Sequence, residues 1–540
     1  MLRIKDHLRG LVVQALGDLG VDLSTVNFDV TEPARAEFGE FATNAAMVGA
    51  KVLGTNPRDL ASRLVEQILN SSSPYLKGAE LAGPGFVNFR LNNSWLYEDV
   101  SAALSMGVDG YGRSDIGKGK RLLLEFVSAN PTGPLHLGNG WWASYGDSLG
   151  RLLAFVNYDV STEYYVNDTG GQIRALGESL LALAKGEAVP EGGYSGEYVS
   201  TLARGYDGDL NDVTAAGKFA SDKILVMIKE SLSDLGITFD TWYSQASIEE
   251  SGAVGEVVEL LKANGAIEIQ DGKSVFMATR YGDNRDRFLT KANGDYTYLA
   301  GDIAYHYDKL VRRGFDYAID IFGADHQGQV PSLLGAMSAL GCESSRLEIL
   351  LGQMVSLQRG DEVVKFSKRK GNVVDLQEVT KEIGASAMRL LSLQTSIDRS
   401  SVVDLAVVTS KSMDNPVYYI QYAHARMAAI ERMRIEREIP EPQIEDVDLS
   451  LLVHPRELEL LKIQSRLDEV VSIAATERAP YKIVTWLRDF AGAFHGFYHD
   501  CSVLGDGPEL TQARLCMVRG AQVAIKVALS LVGVEALERM

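Results

Sequence analysis

Glu125-Phe126-Val127-Ser128-Ala129-Asn130-Pro131-Thr132-Gly133-Pro134-Leu135-His136-Leu137-Gly138-Asn139 is the stretch that decides how this 540-residue chain is read. It leaves a nearly continuous apolar run, Leu122 to Val127, of the kind that forms a strand buried on both faces. It runs into a segment where Leu149, Leu152, Leu153 and Val156 keep the i, i+3, i+4, i+7 spacing of a helix. Strand, Pro/Gly loop and helix in that order place the loop where open α/β sheets bind ligands, at the carboxyl end of a strand. The helix N-terminus offers N–H groups and a positive dipole to phosphate. Gly138 leaves room for a nucleotide to lie against the backbone. Alone, His136 reads as a core or capping histidine. Set between a Pro/Gly loop and Gly138, it reads better as a donor to a phosphate oxygen as charge builds in a transition state.

Outward from this stretch the strand and helix signals alternate. Val160 to Val166, Ala318 to Phe322 and Leu347 to Leu351 read as strands, with a turn at Arg313-Gly314-Phe315 and a helix from Leu333 to Leu340. That alternation predicts a Rossmann-like, doubly wound parallel α/β sheet. We take it to span residues 118–406, with a largely helical insertion at about 170–281. Before it, residues 1–112 form an α+β unit. Leu8, Leu11, Val12, Ala15, Leu16 and Leu19 fall at helical spacing. A second helix is predicted over residues 41–53 and a third after Asn56-Pro57. A half-buried strand alternates from Val87 to Leu91. Glycines between Gly110 and Gly119 mark the linker. Residues 407–540 show almost no strand signal: Leu460, Ile463, Leu467, Val470 and Ala474 continue one apolar seam, and Val523, Val527 and Leu531 another. This predicts an all-α bundle. At about 150 residues per domain, three to four domains are expected for this length.

Composition narrows the function classes. Hydrophobic residues are 46% and charged residues 23%, as in ordinary globular proteins, and not in disordered or collagenous ones. No run approaches 18 uncharged apolar residues, and Asp6, Arg9 and Asp18 interrupt the N-terminal apolar residues, so neither a membrane span nor a signal peptide is expected. Cys342, Cys501 and Cys516 are odd in number and far apart, which argues against a disulfide framework or a zinc site and for a reducing cytoplasm. The net charge of −19 argues mildly against nucleic-acid binding by bulk charge but leaves room for a local basic groove.

A second segment carries chemistry: Val364-Lys365-Phe366-Ser367-Lys368-Arg369-Lys370-Gly371-Asn372. Such a charge run is usually a solvated loop. Here it follows the last strands of the α/β unit and ends in Gly-Asn, so its lysines can close over a triphosphate and neutralise departing pyrophosphate.

Paired with His136-Leu137-Gly138-Asn139, the segment Lys365-Phe366-Ser367-Lys368-Arg369 resembles the two signature motifs of class I aminoacyl-tRNA synthetases. Further stretches narrow the likeness. They are Glu163 to Asp168, Phe239-Asp240-Thr241-Trp242-Tyr243-Ser244, Gly301-Asp302-Ile303-Ala304-Tyr305-His306, Gly323-Ala324-Asp325-His326, Asp414 to Tyr419, Leu537 to Met540, and Phe38 to Asn44 in the first unit. As an ordered set they resemble bacterial-type arginyl-tRNA synthetases over the whole chain.

The resemblance implies an arginine–tRNA ligase that activates L-arginine with ATP and Mg2+, then transfers it to the 3′ end of tRNA(Arg). It implies a cytoplasmic monomer without a structural metal. His136, Asn139, Lys365 and Lys368 would be catalytic. ATP would lie among Pro131, Gly133, His136, Gly138, Asn139, Gly323, Asp325, His326, Met354, Val355, Ser367 and Lys368. Arginine would be held by Glu125, Ser128, Asn130, His136, Tyr298, Asp302 and Gln329, and tRNA by Phe38, Asn44, Tyr419, Gln421, Tyr422 and Arg426. Residues 1–112 would contact the outer corner of tRNA and residues 407–540 its anticodon.

Bland alternatives accompany several of these. Asp302 could be a helix N-cap before Ile303, Tyr298 a core residue, and Gly323 a strand-end turn glycine. Tyr418, Tyr422 and Ala425 could be a buried helix face. Three positions depart from the family pattern: Asn139 stands where a second histidine is common, Phe366 where methionine is usual, and Gln245 where the family usually carries Glu. Trp141-Trp142 has no counterpart in this reading. Two rivals stand beside it: another adenylyl-transferring enzyme with the same nucleotide motif, and a synthetase-like protein that binds tRNA without charging it.

Overall fold

Apolar runs of five to eight residues, each ending in a loop, build the centre of the molecule. The computed structural model describes residues 3–353, 375–399 and 415–540, except the side chains of Ala36 and Asp325. It also describes the backbone of three strands, at 355–359, 362–364 and 401–404. In the first unit, strands β1 (Val30–Thr31), β2 (Phe41–Thr43), β3 (Leu76–Ala82) and β4 (Phe86–Leu91) form an antiparallel sheet in the order β1-β2-β4-β3. Helices Ile4–Asp18, Ala45–Leu53 and Pro57–Leu69 belong to the same unit. The last starts at Asn56, whose side chain accepts from Arg58 N–H at 2.8 Å. The helix expected over 41–53 begins only at Ala45. Phe41 and Thr43 alternate inward with Ala42 between them and pair with β4, so the sheet takes those three residues.

The central sheet contains β5 (Arg121–Glu125), β6 (Asp159–Val166), β7 (Thr241–Ser244), β11 (Tyr317–Gly323) and β12 (Leu347–Gly352), all parallel, in the order β12-β11-β5-β6-β7. The chain winds from β5 outward to β7, then returns on the other side of β5. That reversal, between β5 and β11, is the topological switch point. The segment read as a helical insertion therefore needs correction. Its helices (Gly171–Ala184, Glu197–Arg204 and Val213–Asp234) are there, but Thr241–Ser244 rejoins the sheet beside β6. A four-residue strand with half-buried side chains carries too little periodicity to announce itself. The hairpin strands β8 (Ile267–Gln270), β9 (Lys273–Phe276) and β10 (Arg287–Phe288) form a small satellite sheet. Strands β13 (Val355–Arg359), β14 (Glu362–Val364) and β15 (Ser401–Asp404) form another.

Helices Pro416–Glu436, Pro455–Gln464, Leu467–Thr476, Tyr481–Asp500 and Pro508–Leu531 make the bundle expected at the end of the chain. The first unit docks on it through Arg3–Asp468 and Lys5–Glu469, both 2.7 Å. A buried Tyr111–Asp99–Gln464 hydrogen-bond set joins the same two bodies.

Helix Leu137–Phe155 lies against the central sheet closely enough that a Cβ at Gly146 would collide with the Phe126 ring. Trp142, a puzzle in the sequence, lays its indole over Gly352 at the end of β12; a Cβ there would sit 2.5 Å from Nε1. Among the described residues no helix is long and apolar enough to cross a membrane.

Candidate active site

Three strands each contribute one buried acidic residue: Asp320 on β11, Glu125 on β5 and Glu163 on β6. The register sets them side by side, Asp320 opposite Glu125 and Glu125 opposite Glu163. In-register neighbours of a parallel sheet point to the same face, so three carboxylates line up under one cover. All three are buried. Such a row survives only if cations arrive with it. They come from the end of helix Tyr298–Tyr307 and the segment after it, where a π-turn runs from Asp308 to Arg312. Lys309 Nζ donates to Glu125 at 2.5 Å and to Asp320 at 2.8 Å. His306 Nε2 lies 2.5 Å from Asp320. Arg313 grips Glu163 with two bonds of 2.6 and 2.9 Å, and the Tyr305 hydroxyl donates to it at 2.6 Å. Burial alone would raise Asp320, but Lys309 and His306 hold its pKa down at about 2. Reading the sequence missed this cluster. The signal was present: a carboxylate in or at the end of each of three strand-like runs, and four polar or charged side chains, Tyr305, His306, Lys309 and Arg313, on one helical segment.

Beyond Glu125 the backbone turns sharply. Val127 and Ser128 both have positive φ, +70° and +36°, costly for side chains with a Cβ. The bend is pinned: Ser128 Oγ donates to Glu125 at 2.8 Å and accepts from Tyr165 N–H at 3.0 Å. Asn130 donates to Gln172 at 2.8 Å. Pro131 and Gly133 are buried, with Gly133 close under the Tyr198 ring. The loop then delivers His136 to the N-cap of helix Leu137–Phe155. Its Nδ1 accepts from Asn139 N–H at 3.3 Å, and Asn139 Oδ1 accepts from His136 N–H at 3.1 Å, a reciprocal capping box. The capping alternative for His136 thus holds alongside its place at the helix end, where backbone N–H groups and the dipole favour an anion.

Asn139 is buried in that box, and Gly138 is half-buried beside it. Gly323 ends β11 on the far side of the switch point and starts the turn Ala324–Gln329, which carries an exposed His326 and an exposed Gln329. Met354, Lys365, Ser367 and Lys368 lie outside the described residues, as do the side chains of Asp325 and Val355. The chain re-enters at Asp375, whose backbone bridges His136, while Leu376 N–H donates to Leu135 at 2.9 Å. Asp375 is therefore tied to the capping histidine.

Asp302 is not a helix cap. Helix Tyr298–Tyr307 begins after Thr297, and Asp302 sits in its second turn, half-buried. Among the described residues its carboxylate has no hydrogen-bond or ion-pair partner. Burial, reinforced by Glu125 and opposed by His306 and His326, raises its pKa to about 6. Tyr298 is not a core residue either: it is 63% exposed at the start of the same helix. Its hydroxyl approaches Gly170, within 3.1 Å of where a Cβ would stand. Glu125 thus comes from a strand end, Ser128 and Asn130 from the loop after it, His136 from a helix N-cap and Asp302 from the second turn of a helix.

The expected tRNA residues lie on the first unit and the bundle. Phe38 is exposed; Asn44 is half-buried, its side chain accepting from Asp29 N–H at 3.0 Å. Tyr418, Tyr419, Tyr422 and Arg426 make a half-buried stripe on helix Pro416–Glu436, with Arg426 over the Tyr422 ring at 4.3 Å and the Tyr498 ring at 4.7 Å. Ala425 is buried, so the helix-face alternative holds for it. Gln421 does not face outward: it is buried and its amide donates to the Glu535 carbonyl at 3.2 Å. It ties down the C-terminal segment.

Comparison with known proteins adds to this geometry. The arginyl tRNA synthetase N terminal domain model matches residues 6–91. The catalytic domain model of class I (R) tRNA synthetases matches residues 195–427, and the DALR anticodon binding domain model matches residues 420–540. The chain is 40% identical to the arginine–tRNA ligase of Moorella thermoacetica, covering 98% of this chain and 96% of that one. It is 40% identical to the arginine–tRNA ligase of Desulforudis audaxviator, covering 99% and 98%. The Thermus thermophilus arginyl-tRNA synthetase structure, 20% identical, shares the fold over the full length of both chains with a TM-score of 0.79.

Proposed function

The chain belongs to the arginyl-tRNA synthetase family, and from that membership we infer its reaction: it joins L-arginine to tRNA(Arg) in two ATP-driven steps. The observation that carries the choice of amino acid is the Asp302 carboxylate, half-buried and without a hydrogen-bond or ion-pair partner among the described residues, beside the sheet that carries a capped helix N-terminus. A guanidinium is planar, always charged and offers five donors. A carboxylate already stripped of water is the acceptor it pairs with most strongly.

We propose that arginine lies with its guanidinium at Asp302 and Tyr298 and its backbone near Glu125, Ser128 and Asn130. ATP lies with its phosphates at His136, Gly138 and the N-terminus of helix Leu137–Phe155, and its nucleoside toward Gly323. Mg2+ arrives on the phosphates as part of the substrate. The arginine carboxylate is ionised at neutral pH and needs no general base. Its oxygen bonds to the α-phosphorus as the bond to pyrophosphate breaks, giving arginyl-adenylate. A hydroxyl of the tRNA terminal adenosine then attacks the activated carbonyl and AMP leaves. Catalysis is positioning plus stabilisation of negative charge. His136, fixed by Asn139, donates toward the phosphate. Lys365 and Lys368, with Ser367, are our candidates for closing over it from the other side. Asn139 keeps a hydrogen-bonding side chain at its position, which supports activity despite the departure from histidine.

We further propose the modules 1–112, 118–406 and 407–540, with Phe38 and Asn44 toward the outer corner of tRNA and Tyr419, Tyr422 and Arg426 on the anticodon-side module. The protein works as a cytoplasmic monomer. Charging of total tRNA with ATP and Mg2+, every amino acid run in parallel, tests the reading. Arginine alone is expected to be charged. Charging of another amino acid, or tRNA binding with no charging, overturns it. His136→Ala is expected to lower the activation rate by orders of magnitude with the fold kept, and retained activity would remove His136 from phosphate chemistry.

A further inference from the structure

One carboxylate takes two of a guanidinium's five donors and leaves three unpaired, and Gln245, where the family usually carries Glu, supplies no charge. The structure places one close by. Gln245 is buried at the start of the short helix Gln245–Glu250, and its amide Nε2 donates to Glu249 Oε1 at 2.7 Å. The other Glu249 oxygen accepts from Thr169 Oγ1 at 3.2 Å. Glu249 is itself exposed and has no cation partner among the described residues.

From Thr169 the rim closes in three steps. Gly170, the next residue, sits under the Tyr298 hydroxyl. Tyr298 opens the helix that carries Asp302 one turn later. Tyr165 is more than nine-tenths buried, its ring 4.4 Å from Tyr305 and stacked on Tyr243 at 6.2 Å. Among the described residues the Tyr165 hydroxyl has no hydrogen-bond partner. Burial raises its pKa, and Asp302, Glu125 and Glu249 add to that electrostatically.

We propose that Glu249, oriented by the Gln245 amide and Thr169, is the second carboxylate of the arginine side-chain site, facing Asp302 across the Tyr165 hydroxyl. This rests on the arginine reading above. It makes Gln245 a positioning residue: the amide holds the carboxylate one helical turn further on rather than bearing the charge itself. The site then meets the guanidinium with one carboxylate from each side and an aromatic floor beneath.

The test is tRNA(Arg) charging by the full chain, with KM measured separately for arginine and ATP. Glu249→Gln is expected to raise the arginine KM roughly 10- to 100-fold, the range for losing a hydrogen bond to a charged partner, while the ATP KM and kcat stay within about threefold. Moving the charge back, in the double variant Gln245→Glu with Glu249→Gln, is expected to bring the arginine KM most of the way back. An unchanged arginine KM in Glu249→Gln overturns the proposal, as does an equal rise in both KM values. A wild-type chain that does not charge arginine would instead overturn the functional reading, and this inference with it.

Discussion

A row of three buried carboxylates and the half-buried Asp302 beside it are treated in opposite ways. Asp320, Glu125 and Glu163 form a row across three strands, and every one is met by a side chain of the chain itself: Lys309, His306, Arg313 or Tyr305. Asp302, on the same helix as Tyr305 and His306, is met by none among the described residues, and its pKa climbs to about 6. Asp320 falls to about 2. Burial pushes both upward; the difference is the presence of a cation. A carboxylate matched within the chain is part of the framework. One left unmatched is an opening for a cation from outside, held at a standing cost to stability.

Removing the framework's cation should have the largest effect. Lys309 is fully buried between Glu125 and Asp320. Lys309→Met would leave two carboxylates facing each other in a dry site, with a loss of about 3–5 kcal/mol. Denaturant unfolding or the soluble yield would record it. A variant as stable as the wild type would show that the row is held by something other than Lys309.

Asp302→Asn should do the reverse. The folded pKa lies above the unfolded value of 3.8, so the folded state binds the proton more tightly and loses relative stability as pH rises through the window from about 4 to 6. An amide removes that penalty. The variant should be more stable at pH 7 by up to about 3 kcal/mol, yet its arginine KM should rise at least about 100-fold. A variant that loses both stability and activity would mean that Asp302 has a structural partner after all.

This contrast marks how far the sequence could be read. The parallel sheet was legible because β5, β6, β11 and β12 are apolar runs next to helical periodicity. β7 was not: four half-buried residues inside a helical stretch carry no usable period, and only pairing with β6 defines them. Phe41–Thr43 was absorbed into a helix because strand and helix both tolerate three such residues, and β4 decided. His136, Asn139 and Asp302 were legible as motif residues. Their partners were less so, because the row of acids depends on register between strands nearly 200 positions apart in sequence. Lys309 and Arg313 look like surface charges until the sheet is assembled beneath them. Glu249 sits on a six-residue helix, its carboxylate held by the Gln245 amide, and no local pattern announces that.

The smallest effect is also the cleanest discriminator between the two groups. Above about pH 6 Asp302 is ionised and can take a guanidinium; below it the proton competes. At saturating ATP, kcat/KM for arginine should therefore fall about tenfold from pH 7 to pH 5, following a single group near 6. Asp320 stays ionised over the whole range and should leave no step in the profile. His306 and His326 also act on Asp302 electrostatically, so Asp302→Asn, measured at raised arginine concentration, is the control: its profile should lose the step. A step that survives the substitution would belong to another group, and the unmatched carboxylate would then not be the group that admits arginine.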